Sequence, residues 1–270
     1  MSDTVPQRHR TEEVTEVRGR AVAVVLLASG LLLSPISIAP DVALASDTCA
    51  PARTYRFSTA EAPILVYGVR ATIEYQTAAQ CTGLASLDHI FSAAWVMLNN
   101  GNPDRQHGGW AQVGYVKYRT YNYSHRFSQW VRDCNGPPGP ACHLRTRYLP
   151  YISTDRLYTV RYDFNVNRLI MKIDDDEIAR TDFNPFNYWF TLQGQLGGEV
   201  NNTWSDIPGV LSDNVGLSGI KKRTGSGNSW VAYGTYELDL NATSHCRFHN
   251  QWGNRPVLVY IWTHPLSGSC

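Results

Sequence analysis

Between residues 110 and 180 the chain alternates. WAQVGYVKY (Trp110 to Tyr118), HRFSQWV (His125 to Val131) and LYTVRYDF (Leu157 to Phe164) switch between apolar and polar at every second residue, the period of a strand with one buried face. RLIMKI (Arg168 to Ile173) follows across Asn165-Val166-Asn167, and EIART follows across Asp174-Asp175-Asp176. This stretch predicts a meander of hairpins. SWVAYGTYEL and PVLVYIWT predict further strands. Past the N-terminal region no window sustains a 3.6-residue apolar period. Many short strands without interleaved helices predict an all-β chain: a two-sheet antiparallel sandwich, a concanavalin-like jelly roll. No internal repeat or linker divides it.

The N-terminal region reads differently. A polar stretch carrying Arg8, Arg10, Arg18 and Arg20 precedes the apolar run Ala21 to Leu33, and Ala43-Leu44-Ala45 supplies small residues for a signal peptidase. The expected division is therefore residues 1–45 as a secretory signal and 46–270 as one exported β domain. The apolar run stops short of a membrane span, and no membrane association is expected once it is removed. The formal net charge of +1 gives no reason to expect nucleic acid as a partner.

All six cysteines follow that signal: Cys49, Cys81, Cys134, Cys142, Cys246 and Cys270. In an exported chain they predict three disulfides. Pairing of neighbours, Cys49–Cys81, Cys134–Cys142 and Cys246–Cys270, is the expectation, led by Cys134–Cys142, whose NGPPGPA loop turns back on itself.

In FTLQGQLGGEV, alternate residues from Phe190 to Val200 form one apolar face, and Thr191, Gln193, Gln195, Gly197 and Glu199 form the other. The second face reads as a groove wall or a wet surface. Gly197 and Gly198 are expected either to let a substrate backbone approach Glu199 or to form a bulge. In WAQVGYVKY, Gln112 shares a face with Trp110, Gly114, Val116 and Tyr118. Gln112 with a glutamate on a facing strand would make a two-residue hydrolytic site, the carboxylate taking a proton from water and the amide stabilising an oxyanion. The fifteen tyrosines and eight tryptophans suit wide sheet faces and sugar- or peptide-binding grooves alike.

Other constellations read as structural. His245 and His249 bracket Cys246 without a third clustered ligand, so no metal or other cofactor is expected. Asp174-Asp175-Asp176-Glu177 falls where a hairpin turn is needed. Lys221-Lys222-Arg223 and Gly225-Ser226-Gly227 read as solvated, flexible loops, and no nucleophile elbow is present. Glu74 and Asp88 are further carboxylates that a two-carboxylate glycosidase site would draw on beside Glu199.

The succession AWVMLNN, WAQVGYVKY and an aromatic strand ending in QWV resembles glutamic peptidases of the eqolisin type. Gly197-Gly198-Glu199-Val200, the later Gly225-Ser226-Gly227, and the close pair Cys134 and Cys142 are similar to the neprosin type. The resemblance implies a β-sandwich endopeptidase in which Glu199 activates water and Gln112 orients it, favouring acidic pH. Trp110, Tyr118, Gln193 and Gln195 would then line the groove for a polypeptide substrate. The alternative partner is a glycan, held by a non-catalytic, lectin-like module on the same fold.

Overall fold

A computed structural model describes residues 55–81, 90–100, 109–121, 123–132, 144–187, 189, 191–202, 205–210, 212–242, 247–254 and 258–263. All lie within the compact unit Asp41–Cys270. The expected signal, residues 1–45, falls outside the described residues, as do Asp88, His245 and every cysteine except Cys81. Cys81 is buried and disulfide-bonded.

The described strands are β1 (Arg56–Leu65), β2 (Gly68–Ile73), β3 (Phe91–Asn99), β4 (Trp110–Tyr118), β5 (Ser124–Val131), β6 (Arg145–Ile152), β7 (Arg156–Asp163) and β8 (Arg168–Ile173). They continue with β9 (Asp176–Arg180), β10 (Gln193–Val200), β11 (Gly209–Val210), β12 (Asp213–Arg223), β13 (Val231–Ala232), β14 (Asp239–Ala242), β15 (Phe248–Trp252) and β16 (Leu258–Thr263). One 3-10 turn, Pro185–Asn187, interrupts them. β4 and β8 coincide with the alternating runs of the sequence, and the two-sheet all-β sandwich is what the chain adopts.

One sheet has the order β14-β1-β10-β3-β4-β5-β6, the other β15-β16-β11-β12-β2-β7-β8-β9 with β13 on β12. Pairing is antiparallel except for the contact of Val210 with Thr263. The sheets bury Leu196, Val96, Val113 and Tyr115 from the first against Val69, Ile73, Val160, Met171, Leu217 and Ile261 from the second. Each large apolar side chain so buried contributes about 1.5–3 kcal/mol. Gly198 belongs to this packing: a Cβ there would stand 2.8 Å from Ile261 Cδ1.

The meander β7-β8-β9 forms as its sequence predicts. Asp174 and Asp175 both have positive φ, 50° and 68°, the signature of a two-residue hairpin turn that matches strand twist. Asp174 is also tied down, accepting from Arg156 at 2.8 Å and from the Leu157 amide at 3.0 Å. Asp174 and Asp175 are thus the turn, and Asp176 and Glu177 begin β9.

Two expectations are corrected. SWVAYGTYEL gives only the two-residue β13, because Gly234 to Glu237 closes into a turn: the Glu237 amide donates to Gly234 O at 3.1 Å and the Glu237 carboxylate accepts from the Gly234 amide. Lys221-Lys222-Arg223 is the end of β12 rather than a solvated loop, and Lys222 and Arg223 are buried. Arg223 donates to the carbonyls of Gly227 (2.6 Å), Tyr162 (3.0 Å) and Ser226 (2.7 Å). Gly225-Ser226-Gly227 is therefore folded around a guanidinium. Lys222 pairs with Glu237.

Candidate functional site on the outer face of the seven-stranded sheet

Because side chains alternate, the seven-stranded sheet turns a second set of residues away from the core. Cross-strand register orders them in rows. The first runs Gln193, Asn99, Trp110, Val131. The second runs Asp239, Glu61, Gln195, Met97, Gln112, Gln129, Thr146. The third runs Asn241, Thr59, Gly197, Trp95, Gly114, Phe127, Tyr148, and the fourth runs Phe57, Glu199, Ala93, Val116, His125, Tyr151.

The second row is a chain of polar contacts on both sides of Met97. On one side Gln195 Nε2 donates to Glu61 Oε1, which also accepts from the Thr59 hydroxyl at 2.9 Å. On the other, Gln112 Nε2 donates to Gln129 Oε1 at 2.8 Å and Gln129 Nε2 to Thr146 Oγ1 at 3.0 Å. Gln112 is 7% and Gln195 1% exposed, so these amides are fixed rather than wet.

Across these rows lies a second buried apolar cluster, separate from the main core: Ala93, Trp95, Met97, Val116 and Phe127, with the partly buried Phe91, Trp110 and Tyr118 against it. Trp95 sits between two glycines. A Cβ on Gly197 would stand 2.2 Å from Ser58 O, and one on Gly114 2.0 Å from Ala94 O. Both glycines answer to the backbone of a neighbouring strand. Register runs unbroken from Val200 to Gln195, so Gly197-Gly198 is not a bulge either; the irregularity lies between Glu61 and Leu65. Two buried polar atoms of this face, Gln195 Oε1 and Trp95 Nε1, have no hydrogen-bond partner among the described residues.

At the far end the Tyr118 and Tyr148 hydroxyls share a hydrogen bond of 2.6 Å. Burial pushes the Tyr118 phenol well above its ordinary range, helped by Tyr148 and by the charge of Glu199.

The sequence-predicted residues thus fall into two groups. Trp110, Gln112, Gln193 and Gln195 stand together in the first two rows, while Glu199 and Tyr118 stand at the other end. Gln112 and Glu199 are two strands and four positions apart, about 10 Å across and about 13 Å along, or roughly 16 Å between backbones. The Gln112 amide also turns to Gln129, on the side away from Glu199. One water does not bridge such a pair.

Nor does Glu199 face a second carboxylate among the described residues, its cross-strand neighbours being Phe57 and Ala93. Glu61 and Glu199 are four positions apart on adjacent strands, about 13 Å, whereas glycoside hydrolysis uses carboxyl groups roughly 5–9.5 Å apart. Asp239 lies opposite Glu61, but the Glu61 carboxylate leans the other way, toward Gln195. Glu74 is elsewhere, accepting from the Gly216 amide at 3.0 Å. Among the described residues no group of three His, Cys, Asp or Glu is placed to hold a metal, and His249 stacks on Trp262 with ring centroids 5.5 Å apart.

The sequence reading missed Glu61, Trp95, Gln129 and the Tyr148 end. Phe57, Thr59 and Glu61 do alternate in β1, but nothing local says that β1 adjoins β10.

No protein-family model and no curated protein matches the chain. Among solved structures it is similar to a glycoside hydrolase family 16 endo-glucanase from Bacteroides ovatus, with 11% identity over 56% of this chain and 70% of that one, at a TM-score of 0.33. A mixed-linkage glucan family 16 enzyme of the same organism gives 13% identity, 55% and 68% coverage and a TM-score of 0.32. The kappa-carrageenase from Pseudoalteromonas carrageenovora gives 10%, 76% and 65%, and 0.31. The resemblance to glutamic peptidases is corrected accordingly. No family model carries it, and the two residues of the expected dyad stand apart.

Proposed function

We propose that the chain is a carbohydrate-binding module that holds a glycan on the outer face of its seven-stranded sheet without cleaving it. The observation that carries this is the partly exposed part of that face, where Gln193 and Gln129 stand with the rings of Trp110 and Tyr118, while Gln112 and Glu199 are roughly 16 Å apart, too far to share one water. A sugar ring presents an apolar C–H face and a rim of hydroxyls that both donate and accept, and aromatic rings with ordered amides match both.

The test is a glycan array with the full chain, followed by calorimetry on the best ligand. Gln129→Ala and Gln193→Ala are expected to weaken binding while the fold persists, and the ligand is expected to come back uncleaved. An array with no ligand, or affinity unaffected by both substitutions, removes the reading.

We infer export as well, supported by the apolar run Ala21 to Leu33 and by the disulfide at Cys81. N-terminal sequencing of the protein from the culture medium tests it, with a start after Ala45 expected.

A further inference from the structure

The β4–β5 hairpin and the neighbouring β6 carry a cluster of rings that the fold does not use. Tyr121, Tyr123, Tyr148 and Tyr151 are 44%, 46%, 51% and 65% exposed. They are contiguous through His125, whose ring lies 5.2 Å from Tyr121, 4.8 Å from Tyr123 and 6.3 Å from Tyr148. Tyr123 reaches Tyr151 at 6.4 Å, and Tyr148 reaches Tyr118 at 5.9 Å. Most of these contacts are steep, with interplanar angles of 82° for Tyr121–His125, 70° for Tyr123–Tyr151 and 79° for Tyr118–Tyr148. Each edge-to-face contact covers one face of one ring only, and the exposure of the four tyrosines leaves the remaining ring surface open to solvent.

Exposed clusters of large rings add little to stability and mark binding surfaces. This one is entirely tyrosine around a histidine, so each ring pairs an apolar face with a hydroxyl. It is continuous with the outer face, since His125 and Tyr151 occupy the row next to Phe127 and Tyr148. From Gln129 to His125 along β5 is four positions, about 13 Å. A ligand touching both is longer than one sugar ring.

We infer that this tyrosine cluster is a stacking subsite for the distal rings of a linear glycan whose equatorial linkages give it flat C–H faces, with the reducing or non-reducing remainder lying on the Gln112–Gln129–Thr146 row. The inference rests on the glycan-binding reading and adds to it the ligand's shape and minimum length. The cluster supplies affinity only to chains long enough to reach it.

The experiment titrates the full chain with cellobiose and with cellohexaose, for the unaltered protein, for Tyr121→Ala/Tyr151→Ala and for Tyr121→Phe/Tyr151→Phe. All three are checked by thermal melting, and because both side chains are exposed their melts should coincide. Cellohexaose is expected to bind tighter than cellobiose, and the alanine pair to erase roughly tenfold of that advantage while leaving cellobiose unchanged. The phenylalanine pair is expected to retain most of it. A length advantage that survives in the alanine pair overturns the subsite and leaves the outer-face reading intact. The same follows if neither cello-oligosaccharide binds although the array gives another glycan. A blank array removes both. If the alanine pair instead abolishes self-association seen in sedimentation, the cluster is a protein interface and the inference is overturned.

Discussion

The Gln112 amide donates to Gln129 Oε1 across β4 and β5 at 2.8 Å, on the side of β4 that faces away from Glu199. That single contact separates the two residues that a hydrolytic dyad would have joined. It also predicts how they behave in combination. Gln129→Ala leaves the buried Gln112 amide unpaired and should cost about 1–3 kcal/mol in urea unfolding. Its effect should couple to that of Gln112→Ala. Gln112→Ala and Glu199→Gln, by contrast, should add to within about 0.5 kcal/mol, as distant sites do. Strong coupling between them would put the two residues in contact.

Arg223, buried at the end of β12, holds three carbonyls. Arg223→Met keeps the stem but leaves those acceptors without their charged donor, and about 3 kcal/mol or more of stability should be lost. Limited proteolysis gives a second readout. Cleavage in the Gly225-Ser226-Gly227 segment should appear in the variant before the rest of the chain opens, because Arg223 is what binds that segment down.

Asp206 and Arg247 form an ion pair of 2.6 Å with both side chains 1% exposed. Burial pushes the Asp206 carboxyl up to about 7, against the pull of Arg247, and Asp206 Oδ2 has no partner among the described residues. The folded chain therefore holds a proton here at pH values where the unfolded chain has released it. The stability this group contributes is present below the ordinary carboxylate range and is lost as pH rises through about 7. Thermal midpoints measured between pH 4 and 8 should fall with rising pH, and Asp206→Asn should flatten that part of the slope. Arg247→Met, which strands the carboxyl, should cost about 3–5 kcal/mol at neutral pH.

At the tip of the β8–β9 hairpin, Asp175 has φ of 68°. Asp175→Gly should leave stability unchanged or raise it by up to about 1 kcal/mol, since glycine takes this conformation freely. Asp175→Val should cost about 1–2 kcal/mol. Equal midpoints for the two would mean that the turn has another geometry in solution.

The sequence by itself determined which side chains share a face. Alternation is local: once Trp110 to Tyr118 is a strand, Trp110, Gln112, Gly114, Val116 and Tyr118 must point one way, and Gln193, Gln195, Gly197 and Glu199 are fixed equally in their own strand. The same holds for the hairpins of β7, β8 and β9, whose turns lie within a few residues of what they join. Only the tertiary structure decided which strands are neighbours and in what register. β10 enters the sheet between β1 and β3, a pairing across more than ninety positions of chain for which no local residue carries a signal. That insertion brings Gln195 against Glu61 and sets Glu199 four positions from the row of Gln112. A shift of register by four keeps every residue on its face, so the alternating pattern is blind to it, and the distance between two such residues is a property of the sheet alone.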